Sequence, residues 1–187
     1  MKKCLVLLLP MLLALGYGQE LLVNGDFEQP ITTGWVQTQG GVGTQTTDRS
    51  TDYQPDPDYE ASSYQYSGAG WTKLGQMVNV PRSDLLLSFW ASFQLGPSSS
   101  SCWPVGSIVA GYYDSGGNLM GETYYYYHDV NCLWTPSATL SLINVSDPNW
   151  AQYTLYVRDE IIQHLPGVNP DFVTKVEVGL YAYTSGG

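Results

Sequence analysis

Leu85, Leu87, Phe89, Ala91, Phe93 and Leu95 fall on one side of an extended chain, and Leu86, Ser88, Trp90, Ser92 and Gln94 on the other. A period of two belongs to β-strands, whose successive side chains point to opposite faces; a helical face repeats about every 3.6 residues. The pattern returns near the C-terminus, where Val176, Val178, Leu180 and Ala182 oppose Lys175, Glu177, Gly179, Tyr181 and Tyr183. In both stretches one face is apolar, while the other is polar and carries large aromatic rings. Such strands must bury their apolar face against a second layer.

Runs rich in Tyr, Val, Thr and Leu alternate with Gly, Pro, Ser, Asn and Asp clusters along the rest of the chain. Strands are predicted at 21–23, 34–39, 61–66, 71–80, 84–95, 105–113, 119–128, 138–145, 152–157 and 174–183. One helical turn, 159–165, is ended by Pro166-Gly167. Gly116-Gly117-Asn118 sets a hairpin turn, and Pro97 to Ser101 is a flexible loop within the domain. The expected fold is all-β, a mostly antiparallel jelly-roll β-sandwich.

Lys2 and Lys3 precede the apolar run Cys4 to Leu15, and Gly16-Tyr17-Gly18 supplies small residues at a cleavage site. The run falls short of the roughly 20 residues a membrane span needs. Residues 1–18 therefore read as a removable signal peptide and 19–187 as one β-sandwich domain, secreted and not inserted in a membrane. Loss of the two lysines takes the formal charge from −10 to −12. Such an acidic chain repels phosphate backbones and anionic lipid surfaces and suits a neutral ligand.

Cleavage leaves Cys102 and Cys132, an even count that in a secreted chain points to a disulfide. Closing that loop of about 31 residues would contribute roughly 3–4 kcal/mol. Two unpaired buried thiols are the alternative.

Leu21 to Glu28 followed by Gly34-Trp35 reads as a short strand, an Asn-Gly turn tolerant of positive φ, and an aromatic anchor. Together with Leu86 to Ala91 and the turn Tyr112 to Asn118, this run resembles the jelly-roll carbohydrate-binding modules of secreted glycoside hydrolases and the wider galactose-binding-like sandwiches. The resemblance implies a closing strand beside the first one. Here the chain reaches Thr184-Ser185-Gly186-Gly187, a loop-like tail, so that strand is expected to be lacking and the domain to head a longer surface or hydrolase protein. The resemblance also implies a structural calcium held by Glu28 with an Asp of the closing strand; no cofactor is otherwise required.

A sugar site needs flat rings for C–H faces and polar partners for hydroxyls. Trp and Tyr total 21 residues (6 plus 15) against four Phe. Trp90, Tyr181 and Tyr183 sit on non-core faces, and alternation through Tyr124-Tyr125-Tyr126-Tyr127 sends two rings, such as Tyr124 and Tyr126, to one side. Trp103 and Trp134 adjoin the cysteines. These seven rings are the ligand-binding candidates, with cross-strand packing as the structural alternative; Trp35, Trp71 and Trp150 are expected to anchor the core. Asp48, Asp52, Asp56, Asp58 and Glu60 read as a solvated acidic loop, since Ala61 stands where a calcium loop needs Gly. No nucleophile, metalloprotease, phosphate-loop or dinucleotide motif is present, so no catalytic residue is assigned. The expected function is a non-catalytic module binding a polysaccharide or cell-surface glycan. The alternative is an adhesive or structural sandwich with no sugar ligand.

Overall fold

The computed structural model describes residues 20–52, 58–96 and 103–186. The signal segment 1–18, the Pro97–Ser101 loop and Cys102 lie outside the described residues. The strands are β1 (Val36–Gly41), β2 (Thr44–Ser50), β3 (Glu60–Tyr66), β4 (Gly70–Asn79), β5 (Leu86–Ala91), β6 (Pro104–Tyr113), β7 (Leu119–His128), β8 (Leu140–Asn144), β9 (Ala151–Tyr156) and β10 (Lys175–Thr184), with helix α1 (Val157–His164) between the last two. Six strands form one sheet in the order β1-β4-β10-β6-β7-β8; β2–β3 and β5–β9 form two-stranded ladders. Every pairing is antiparallel except β7–β8, which is parallel.

The architecture is an all-β sandwich. Val176 and Val178 of β10, Ala110 and Tyr112 of β6, and Tyr125 of β7 share the inner face of the large sheet and meet Phe89, Ala91, Tyr153 and Leu155 of the β5–β9 ladder. Phe89 stacks on Tyr153 at 5.5 Å and meets Tyr125 edge-on at 5.2 Å. Burial of this apolar area is the main stabilising term. The β2–β3 hairpin joins the same inner side, where Gln65 Nε2 donates to Thr184 Oγ1 at 3.3 Å.

Helix α1 follows β9 directly and carries Asp159 and Glu160 in its first turn, where the helix dipole favours carboxylates. Val157 and Ile161 enter the core. Glu160 is also buried, accepting hydrogen bonds from Ser141 and from Thr123, which in turn receives the Tyr112 hydroxyl at 2.9 Å.

Two local expectations are corrected. Residues 21–23 form no strand: the side-chain amide of Gln76 stands in for a neighbouring backbone, taking the Val23 N–H at 2.6 Å and donating to the Val23 carbonyl at 2.8 Å. Strand β2, Thr-Gln-Thr-Thr-Asp-Arg-Ser, falls where only an acidic loop was expected, because it has no apolar face to betray it. The opening turn is as read from sequence. Asn24 adopts φ 54°, and Trp35 is 5% exposed with its indole N–H on the Asn24 carbonyl at 3.0 Å.

Candidate functional site

Strand register assembles a second set of side chains on the outward face of the six-stranded sheet. Trp71, Lys73 and Gly75 of β4 lie beside Tyr183, Tyr181 and Gly179 of β10. Those pair with Val105, Ser107 and Val109 of β6, and these in turn with His128, Tyr126 and Tyr124 of β7. Among the described residues no second sheet covers this face.

One half of the face is aromatic. Trp71 lies near-parallel to Tyr181, centroids 6.1 Å apart, and Tyr124 stands edge-on to Tyr181 at 5.8 Å. The segment after β7 folds back so that Trp134 stacks on Tyr126 at 4.9 Å and meets Tyr124 and Tyr183 edge-on. The Tyr126 hydroxyl fixes that segment by donating to the Cys132 carbonyl and accepting the Trp134 N–H at 2.9 Å. Burial pushes the Tyr124 and Tyr181 hydroxyls above the ordinary tyrosine range, so both remain neutral donors.

The other half is polar. Lys73 Nζ is 2.8 Å from both carboxylate oxygens of Glu177, and Tyr113 donates to the same carboxylate at 2.8 Å. Three glycines let these side chains lie flat. A Cβ at Gly75 would come 2.9 Å from Glu177 Oε1, one at Gly179 3.0 Å from Lys73 Cγ, and one at Gly111 3.0 Å from the Tyr113 ring. Glu122 accepts from the Tyr124 hydroxyl at 3.3 Å; burial raises its carboxyl above the ordinary range, against the pull of Lys73. The Ser107 hydroxyl, buried between Tyr181 and Tyr126 in register, has no hydrogen-bond partner among the described residues. Flat rings beside fixed donors and acceptors are what a hydroxylated ring with apolar C–H faces requires.

Of the seven candidate rings, Tyr124, Tyr181, Tyr183, Trp103 and Trp134 gather here, Trp103 by packing into the same cluster. Tyr126 belongs to that cluster but is buried between Trp134 and His128, so its part is to hold the platform. Trp90 faces outward as its alternation predicts, but apart from these rings, on the outer surface of the β5–β9 ladder across the sandwich. Trp71, expected in the core, faces outward beside Tyr181. Lys73, Tyr113, Glu122 and Glu177 were not singled out by sequence, because only strand register brings them together. Trp103 and Trp134 pack against one buried cluster, in which Cys132 is a free thiol whose ionisation burial disfavours; Cys102 lies outside the described residues.

Among the described residues Glu28 belongs to no group of three carboxylates. Its Oε1 accepts the Tyr59 N–H at 2.9 Å, while Arg49 donates to the backbone carbonyls of Phe27 and Glu28 and lays its guanidinium on Tyr59. The Arg49 guanidinium thus holds the two backbone carbonyls. Among the described residues no group of three His, Cys, Asp or Glu could hold a metal ion. A groove of about 730 Å³ opens elsewhere, between Leu21–Leu22 and Leu85–Ser88, lined by aliphatics together with Glu20, Asp26 and Asp84 and without aromatic rings. No helix of the described residues is long and apolar enough to cross a membrane.

No protein-family model matches this sequence, and no curated protein matches it. Among solved structures, the enzymatically active domain of tailspike protein 4 of bacteriophage CBA120 is similar over 89% of this chain and 21% of its own, at 16% identity and TM-score 0.49. A carbohydrate-binding module of the β-sandwich superfamily, described for promiscuous specificity, is similar over 90% of this chain and 60% of its own, at 10% identity and TM-score 0.46. A family 61 carbohydrate-binding module in complex with β-1,4-galactotriose is similar over 89% of this chain and 95% of its own, at 11% identity and TM-score 0.42. This chain thus spans about a fifth of the first and less than two thirds of the second.

Proposed function

We propose that the outward face of the six-stranded sheet binds an extended carbohydrate chain, and that residues 19–187 act as a secreted, non-catalytic glycan-binding module. The observation that carries this reading is the juxtaposition of Trp71, Tyr181 and Tyr124 with the Lys73–Glu177–Tyr113 row on one face. The rings take the apolar faces of sugar residues; the ion pair and the neutral tyrosine hydroxyls take their equatorial hydroxyls. The ligand is a polysaccharide or cell-surface glycan, and export through the 1–18 signal places the module outside the cell. No nucleic acid is expected, on charge alone. Galactotriose, bound by the family 61 module, is one oligosaccharide for the screening panel.

The test is glycan-array screening of purified 19–187 beside Trp71→Ala and Tyr181→Ala. Binding to defined glycans by the wild type, weakened at least tenfold in both variants with melting temperatures little changed, is the expected result. A wild type that binds no glycan favours the adhesive sandwich without a sugar ligand.

A further inference from the structure

We propose a second glycan-contact surface on the opposite side of the sandwich, the outer face of the β5–β9 ladder, built on Trp90, Leu86 and Tyr156. These three are 60%, 58% and 61% exposed, so no loop among the described residues covers them. Leu86 pairs directly with Tyr156, and Trp90 lies four residues along β5, about 13 Å away at strand rise. Between them are Ser88 and its partner Thr154, and Gln152, opposite Trp90, donates from Nε2 to Ser88 Oγ at 3.2 Å. All six outward positions of the ladder are therefore uncharged, in a chain of formal charge −10. Exposed rings cost solubility, and a face kept apolar and neutral marks a contact site. Its alternation of ring, hydroxyl and amide fits a neutral, ribbon-like polysaccharide laid flat. The nearest charges, Asp84, Arg158 and Asp159, lie at its Leu86–Tyr156 end, where Arg158 pairs with Asp84 at 3.6 Å, and leave the Trp90 end neutral.

The inference rests on the ligand class proposed above but uses a separate surface. Two faces on opposite sides would let one molecule bridge two polysaccharide chains.

Native affinity electrophoresis through gels holding hydroxyethyl cellulose, xylan or β-1,4-galactan, with turbidity of each solution, tests it. Trp90→Ala is expected to lose at least tenfold in apparent affinity for one of these polymers and to lose the turbidity. Its melting temperature should stay within about 1 °C, since an exposed ring contributes little to folding. Tyr181→Ala should remain retarded through the outer face. If Tyr181→Ala is silent and Trp90→Ala abolishes retardation, the β5–β9 surface stands and the proposed site on the six-stranded sheet falls. The inference is overturned if Trp90→Ala and Tyr156→Ala migrate as wild type in every gel, or if no gel retards the wild type. It is equally overturned if Trp90→Ala alters only sedimentation, which would make the face a contact between copies.

Discussion

Lys73 and Glu177 form a two-pronged ion pair across β4 and β10, with the ammonium 2.8 Å from each carboxylate oxygen and both side chains mostly withdrawn from solvent. The pair lies over Gly75 and Gly179, which leave room for it. It thereby divides the outward face into an aromatic half and a polar half, and fixes Tyr113 in the second.

Glu177→Gln should therefore be felt by the fold as well as by the ligand. It leaves the mostly buried Lys73 ammonium without its counter-charge, at a cost of about 2 kcal/mol, the scale of charge-assisted hydrogen bonds. Urea denaturation should show a lower midpoint with an unchanged slope. Sugar affinity should fall together with it.

Truncating the platform should separate binding from stability. Tyr181→Phe removes a hydroxyl and keeps the ring, so most affinity should remain; Tyr181→Ala should cost at least tenfold, about 1.4 kcal/mol. Isothermal titration with the best glycan found on the array measures both.

Glu122 supplies a pH dependence with a definite sign. Burial raises its folded carboxyl above the ordinary 4.5, so the folded chain holds a proton that the unfolded chain has released. Its contribution to stability is present below pH 4.5 and is lost as pH rises through the raised value. Glu122→Gln should abolish that loss, gaining about 1–3 °C in melting temperature at pH 7 and nothing at pH 4. Thermal melts of both proteins across that range check it.

Glu160 is the point where α1 is fastened to the large sheet. Glu160→Ala strands the Ser141 and Thr123 hydroxyls in the interior and removes packing, at about 2–4 kcal/mol. Ser141→Ala should cost less, because Thr123 still reaches the carboxylate. Chemical denaturation of the two variants should rank them in that order.

Sequence by itself determined most of the extended segments and, where apolar residues alternate, which side of each is core. Alternation is a local property, so Val176/Val178 against Tyr181/Tyr183, and Tyr124/Tyr126 against Tyr125/Tyr127, were legible from spacing. The sandwich class followed, as did the buried Trp35 and the positive φ at Asn24. Strand β2 escaped because its polar residues carry no periodic signal. Leu21–Val23 was misread because its neighbour is the amide side chain of Gln76, and no propensity encodes that. The tertiary structure alone decided which outward faces coincide. Register between strands distant in sequence set Trp71 beside Tyr181 and Lys73 against Glu177, and placed β5 in the other layer, with Trp90 on the opposite surface. Pairing depends on how all the inner faces pack together, so a site spread over β4, β10, β6 and β7 exists only once the sheet has formed.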